Sequence, residues 1–334
     1  MRRTGAPAAV VGAVVLALVA LGCGREGSVG TADAGATATA TGTPESTETP
    51  ETEGQEPSLP VTLTDATGND VVVESIDRII PLDGDVAEIV FALGLGDNVV
   101  ATDLSATYPP EADALPEVGY QRALSSETVA AFEPTVLLAT DIAGPPQALD
   151  ELRQLGFPLV VVPNEATSTG AAAKIRAIAE ALGVPERGEE LAGDVQSDID
   201  LATVEAGADA PRVLALYVRG ISVQLVLGEQ AATHWLIEAA GGVDVSTDLG
   251  VTDTAPISIE ALLRAEPDVI LVPTAGLESV EGIDGLLEIP GMERTPAGRD
   301  GRILAYDDQM LLGNGPRAGE MLQQLAEDLD DDAR

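Results

Sequence analysis

One fifteen-residue phrase occurs twice in this chain. Leu124-Ser125-Ser126-Glu127-Thr128-Val129-Ala130-Ala131-Phe132-Glu133-Pro134-Thr135-Val136-Leu137-Leu138 returns as Ile257-Ser258-Ile259-Glu260-Ala261-Leu262-Leu263-Arg264-Ala265-Glu266-Pro267-Asp268-Val269-Ile270-Leu271, with Glu127 and Glu260 standing 133 positions apart. Solenoid repeats recur every ~20–50 residues, so this spacing marks a duplicated lobe rather than an array. In each copy a Ser-x-Glu start opens a short helix, a proline closes it, and an apolar strand follows.

The flanking segments fit two lobes of strands alternating with helices. A hairpin is expected over 61–73, turning at Ala66-Thr67-Gly68-Asn69-Asp70, then a buried strand at Arg78-Ile79-Ile80-Pro81-Leu82. Val86, Ile89, Val90 and Leu93 keep helical spacing up to Gly94 or Gly96, and Asn98–Thr102 reads as the next strand. Later strands are expected at Val136–Ala139, Leu159–Val162, Arg212–Val218, Val269–Val272 and Arg302–Tyr306, with Pro316 introducing a closing helix. This alternation predicts parallel sheets covered on both faces. From Thr169 to Gly207 the rhythm is helical only, interrupted at Gly183-Val184-Pro185. The second and longer of those helices lies between the two copies and reads as a stiff connector. The expected organisation is a leader at 1–23, a tether at 24–58, a first lobe at 59–168, connecting helices at 169–208 and a second lobe at 209–330.

The leader has Arg2 and Arg3, an apolar run from Ala8 to Leu21, and then Leu21-Gly22-Cys23. A run of ~14 apolar residues is short for a bilayer and suits the core of an export signal. Its end resembles a bacterial lipobox, with Ala20 where leucine is usual, which implies cleavage before a lipid-modified Cys23. The following Gly, Ala, Thr, Glu and Pro residues bury too little apolar surface to offset the entropy of ordering them, so they form an extended tether. Cys23 is the single cysteine, which excludes disulfides and thiolate metal sites from the fold. With 56 acidic against 17 basic residues, a net charge of −39 argues against a nucleic-acid partner.

Lipobox, tether, two α/β lobes and an intervening long helix together resemble a substrate-binding lipoprotein of an ABC importer, of the class serving siderophores, vitamin B12 and haem. The resemblance covers residues 59–328 and is carried by Val86-Ala87-Glu88-Ile89-Val90-Phe91-Ala92-Leu93-Gly94-Leu95-Gly96 and Thr107-Tyr108-Pro109-Pro110-Glu111-Ala112. Leu115-Pro116-Glu117-Val118-Gly119-Tyr120-Gln121-Arg122-Ala123-Leu124-Ser125 is similar to the haem-binding branch. It implies a monomeric receptor anchored to the outer face of the cytoplasmic membrane, carrying haem as cargo to a permease and its cytoplasmic ATPase. It also implies that Glu127 and Glu260 dock on permease arginines. Read from the residues alone, each glutamate sits in the first turn of a helix capped by Ser125 or Ser258, where negative charge complements the dipole.

Two triplets out of register with the repeat, Tyr120-Gln121-Arg122 and Tyr217-Val218-Arg219, provide one phenol and one guanidinium per lobe in a chain with four tyrosines. On extended backbone, residues i and i+2 point the same way, which would set each phenol beside its arginine. Relatives of the haem branch take axial ligands at these two positions, so the resemblance makes Tyr120 and Tyr217 candidate ligands of haem iron. Tyrosinate is a known haem ligand, and both a ferric ion and an adjacent arginine favour the anion. Arg122 and Arg219 are the candidate partners of a haem propionate or of the phenolate itself. Alternatively, each is a half-buried tyrosine with an arginine at a sheet edge. A ferric siderophore or corrinoid receptor would share the fold without needing a tyrosinate. His234, the single histidine, reads as a partly exposed helical residue and speaks against a zinc or manganese site. Gly313–Arg317 reads as a turn, and Tyr108 as a loop anchor. Neither Gly-x-Ser-x-Gly, a P-loop nor a metalloprotease motif is present, so no enzyme is expected.

Overall fold

Alternation along the strands decides how the layers stack. The structure is a computed structural model that describes residues 56–331; the expected signal sequence, Cys23 and the tether up to residue 55 lie outside the described residues. A hairpin of β1 (Val61–Thr64) and β2 (Asp70–Val73) leads into three parallel strands, β3 (Ile79–Pro81), β4 (Val136–Ala139) and β5 (Leu159–Val161). Every residue of these three is buried, as in strands covered on both faces. Successive side chains enter opposite layers: Ile79, Val136 and Leu138 join one apolar cluster, Ile80, Leu137 and Ala139 another.

The second sheet is built on β6 (Arg212–Arg219), with β7 (Val223–Leu227), β8 (Val243–Asp244), β9 (Thr254–Pro256), β10 (Val269–Pro273) and β11 (Ile303–Tyr306). The run β11-β10-β6-β8 is parallel, as expected, but β7 and β9 add an antiparallel edge. The short Gly220-Ile221-Ser222 turn, with Gly220 at φ 59°, folds β7 straight back on β6. The strand expected at Asn98–Thr102 contributes only single bridges, because Thr102 bonds the 116–118 segment instead: its N–H donates to Pro116 O and its carbonyl accepts from Val118.

Seven helices matter to the site: α1 (Gly84–Ala92), α2 (Ser126–Ala130), α3 (Gly170–Ala181), α4 (Pro185–Ala202), α5 (Ile259–Ala265), α6 (Asp308–Leu312) and α7 (Ala318–Asp331). Pro185 starts the long α4 where a missing N–H costs nothing. One apolar cluster runs from Ile79 and Val136 through Ile175, Ile178 and Ile199 to Val213, Ala215 and Leu325. Separating the two sheets would expose this shared surface to water, at about 25 cal/mol for each Å² of it.

The repeat survives in backbone detail. Ser125 and Ser258 accept from Thr128 N and Ala261 N, at 3.4 and 3.1 Å, as N-caps of α2 and α5. At the far ends, Arg78 donates to Phe132 O at 2.6 Å and Arg212 to Ala265 O at 2.8 Å. An arginine at the head of each lobe's first parallel strand thus neutralises the carbonyl end of its Ser-x-Glu helix. Glu133 and Glu266, each before a proline, take the left-handed conformation at φ 47° and 44°. Proline disfavours αR for its predecessor, and the helix end supplies the αL alternative.

Lys174 on α3 has no side-chain exposure, pairs with the buried Asp85 of α1 and donates to Gly313 O at 3.0 Å. It ties the first lobe to the turn before α7. Lys174→Met leaves Asp85 buried without its cation and should cost about 3 kcal/mol by urea unfolding. Part of that loss should return in the Asp85→Asn, Lys174→Met double variant.

Candidate ligand-binding site

β6 outlasts its parallel neighbour, and that extension positions the second-lobe half of the site. Pairing with β10 stops at Ala215, whereas β6 continues through Leu216–Arg219 against β7. Val218 turns inward to the core, so Tyr217 and Arg219 emerge together on the other face. The Arg219 guanidinium carbon lies 4.4 Å from the Tyr217 ring centroid, a cation–π stack. Arg219 Nη1 donates to Val218 O at 2.8 Å, and Nη2 forms an ion pair with Asp308 at the start of α6. Asp308 Oδ1 also accepts from Ala275 N at 3.0 Å. The second triplet therefore has the expected i, i+2 geometry.

The first triplet does not, and here the expectation is corrected. Tyr120 is extended (φ −81°, ψ 132°), but Gln121–Ala123 wind into a 3₁₀ turn, which breaks strand alternation and leads Arg122 away to solvent. Tyr120 itself is exposed, and it lies close enough to Tyr217 to act on its phenol. One phenol from each lobe thus meets the other, at the carboxyl ends of parallel strands where α/β folds bind ligands. Burial pushes the Tyr217 phenol up; Arg219 pulls it down, while Tyr120 and Asp308 push it further up, and the net direction is upward. An adjacent arginine does favour the anion, as expected, but it is outweighed.

Behind Tyr120 lies a buried carboxylate cluster that the sequence reading missed. Asp103, 1% exposed, accepts from the Ser105 N–H and from the Ser105 hydroxyl, and lies close to the Gln121 N–H. Asp83 accepts from the Thr140 hydroxyl at 2.6 Å and from Gln121 Nε2 at 3.5 Å. Both hold the turn carrying Tyr120 against the first-lobe strands. Burial raises Asp103 to about 6, and burial beside Asp85 raises Asp83 well above the usual carboxylate range. Aspartates after a buried strand and in a loop carry no sequence mark of this role; only folding brings residues 83, 85 and 103 together.

The lobes are latched beside this cluster. Gln309 of α6 donates to Gly84 O at 2.9 Å and Glu88 Oε2 at 2.8 Å, and its Oε1 accepts from Thr107 and Tyr108 N–H. Arg317 forms a fork with Glu88 at 2.9 and 3.0 Å and covers the Tyr108 ring at 3.8 Å. Burial raises the Glu88 carboxyl in spite of Arg317. Tyr108 is thereby anchored, and the Gly313–Arg317 turn bridges the lobes, with Asn314 at φ 49° bonding Glu165 O and Thr167 O. His234 is partly exposed and bonds Asp244 at 2.9 Å. Glu127 and Glu260 are both exposed in the first turns of α2 and α5.

Two α/β lobes sharing a core, each presenting a phenol to the other, define a ligand receptor. The chain belongs to the periplasmic binding protein family, which it matches over residues 79–310. It is 45% identical to the periplasmic haem-binding protein RhuT from Roseiflexus sp. RS-1, with a TM-score of 0.75 over 77% of this chain and 99% of that one. It is 36% identical to the haem-binding protein HmuT, with a TM-score of 0.78 over 84% of this chain and 93% of that one. HmuT has also been solved with a histidine, a tyrosine, or the arginine two positions after that tyrosine replaced by alanine. Among curated relatives, the vitamin B12-binding protein of Vibrio cholerae serotype O1 is 32% identical over 198 residues, 58% of this chain and 69% of that protein.

Asp103 makes stability pH-dependent. Folded, it keeps its proton to about pH 6; unfolded, it releases it near 3.8. Between those values the folded chain binds more protons, so this contribution is present below the window and is lost as pH rises through it. Asp103→Asn should therefore narrow the stability difference between pH 4 and pH 7 by about 2–3 kcal/mol, measured by urea unfolding at a series of pH values.

Proposed function

We propose that this protein is the extracytoplasmic receptor of an ABC importer and that it captures haem between its lobes. The observation that carries this reading is the meeting of Tyr120 and Tyr217, one phenol from each lobe, with Arg219 stacked on the second. Ferric iron is a hard Lewis acid that can displace a phenolic proton, and tyrosinate is a known haem ligand. Large apolar side chains stand exposed nearby in the chain: Leu104, whose N–H bonds Gly119 O beside Tyr120, and Ile221, two residues past Arg219. They suit the apolar faces of a macrocycle. The haem-binding names of RhuT and HmuT support this ligand, and the tyrosine and arginine altered in HmuT have the spacing of Tyr217 and Arg219.

In this reading Tyr217 and Tyr120 are the candidate iron ligands. Arg122, exposed at the rim, is free to meet a propionate, whereas Arg219 serves the phenol it covers. Ferric haemin added to the purified protein should give a Soret band with a tyrosinate-type ferric spectrum. Tyr217→Ala and Tyr120→Ala should each weaken binding at least tenfold, the loss of one coordinate bond. The vitamin B12-binding relative makes a corrinoid the second reading. Tight binding of cyanocobalamin with no spectral change on adding haemin would replace the first reading by the second.

Glu127 and Glu260 are the proposed permease contacts. Their carboxylates face solvent on corresponding helices of the two lobes, where rim charges orient a partner more than they add affinity. A lipid on Cys23 would hold the monomer at the outer face of the cytoplasmic membrane, within reach of the permease. Glu127→Lys, Glu260→Lys should bind haemin like the parent yet no longer stimulate ATP hydrolysis by the reconstituted transporter.

A further inference from the structure

The end of the ribbon that carries Tyr217 and Arg219 stands beyond its sheet neighbours. β10 leaves β6 at Ala215, and β9 supports β7 only at Leu225–Leu227, with Ile257 N reaching Gln224 O at 3.0 Å. The last pair, Arg219 with Val223, and the Gly220-Ile221-Ser222 turn lie past both. A two-stranded ribbon is marginal by itself in water, so the position of this tip has to be fixed from outside the sheet. One short helix, Thr274–Glu278, and the residue after it do so. Ser279 Oγ accepts from Gly220 N at 2.8 Å and donates to Gly276 O at 2.6 Å. Gly276 lies so near the strand that a Cβ there would come within 2.9 Å of Val218 O and 3.1 Å of Arg219 Nη1, two atoms that bond each other at 2.8 Å. Ala275 N donates at 3.0 Å to Asp308, the carboxylate paired with Arg219.

We propose that Ser279 and Gly276 are positioning residues for ligand recognition: they clamp the β6–β7 tip so that Tyr217, Arg219 and Ile221 form a fixed wall of the cleft against one edge of a macrocyclic ligand. Ile221, at the apex of the turn, is 92% exposed, so its apolar surface is left for something other than the fold to cover. A free tip would have to be ordered at every binding event, and that ordering would be subtracted from the affinity. The clamp places the cost in folding instead. Gly276 permits the close approach, and Ser279, exposed on the surface, holds it with one hydroxyl. This inference rests on the haem reading for the identity of the ligand, while the clamp itself is measurable in the ligand-free protein.

Amide hydrogen exchange, followed by NMR on the ligand-free protein, reads the clamp at Gly220. Ser279→Ala should speed exchange of the Gly220 amide about fivefold, the size of one neutral hydrogen bond, and leave the amides of β3–β5 unchanged. Ser279→Thr, which keeps the hydroxyl, should restore the parent rate, as a general loss of structure would not. Unchanged exchange at Gly220 overturns the proposal. Because the wall meets the ring and not the iron, Ser279→Ala should release haemin and iron-free protoporphyrin IX faster by a similar factor, roughly fivefold, whereas Tyr217→Phe should weaken haemin alone. Parent-like release of both porphyrins also overturns it. Gly276→Ala should speed release in the same way through Arg219, and the exposed Ser279 keeps the test independent of any folding defect at Gly276. If neither porphyrin binds the parent, the haem reading fails; release of cyanocobalamin then takes their place, and equal rates from the parent and Ser279→Ala overturn the clamp.

Discussion

A single apolar core shared by both lobes is the constraint on which the rest depends. It passes from β3 and β4 through α3 and α4 into β6 and ends on α7. Lobes joined only by flexible strands could close on a ligand with little loss of burial. Here opening would separate packed side chains, and the buried Lys174–Asp85 pair, the Gln309 latch and the Arg317–Glu88 fork would lose partners that water replaces poorly inside a low-dielectric interior. The distance between Tyr120 and Tyr217 is therefore set largely by the fold, and a pre-set distance lowers the cost of binding a rigid ligand.

Electrostatics at the site run against the bulk composition in an ordered way. In a chain of net charge −39, three cations around the site are each matched by a carboxylate: Arg219 by Asp308, Arg317 by Glu88, Lys174 by Asp85. The buried carboxylates Asp83, Asp85, Glu88 and Asp103 outnumber Lys174 and Arg317, so burial raises the pKa of Asp83, Glu88 and Asp103. That cluster supports the turn carrying Tyr120.

Legibility from sequence followed the range of the interactions. The hairpin, the buried strands, the break at Gly183-Val184-Pro185 and the serine caps were all readable, because each depends on residues within one or two turns. The side-by-side placement of Tyr217 and Arg219 was legible, since both sit on a regular strand. The first was misread at Arg122, because a 3₁₀ turn after Tyr120 breaks the alternation and nothing in Gln121-Arg122-Ala123 announces it. β7 escaped notice because a three-residue turn gave its hairpin little signature, and the helix-end contacts of Arg78 and Arg212 because they reach across more than fifty residues.

By itself the sequence determined that there are two related lobes, that each begins its repeat with a capped, solvent-facing glutamate, and that each carries a Tyr-x-Arg triplet. These are local and periodic properties, written in neighbouring residues. Only the tertiary structure decided that the two phenols meet, that Arg219 is held by Asp308, and that residues 83, 85 and 103 form one buried cluster beneath Tyr120. Those contacts join segments far apart in the chain, and their energies depend on burial and distance, which no local pattern encodes.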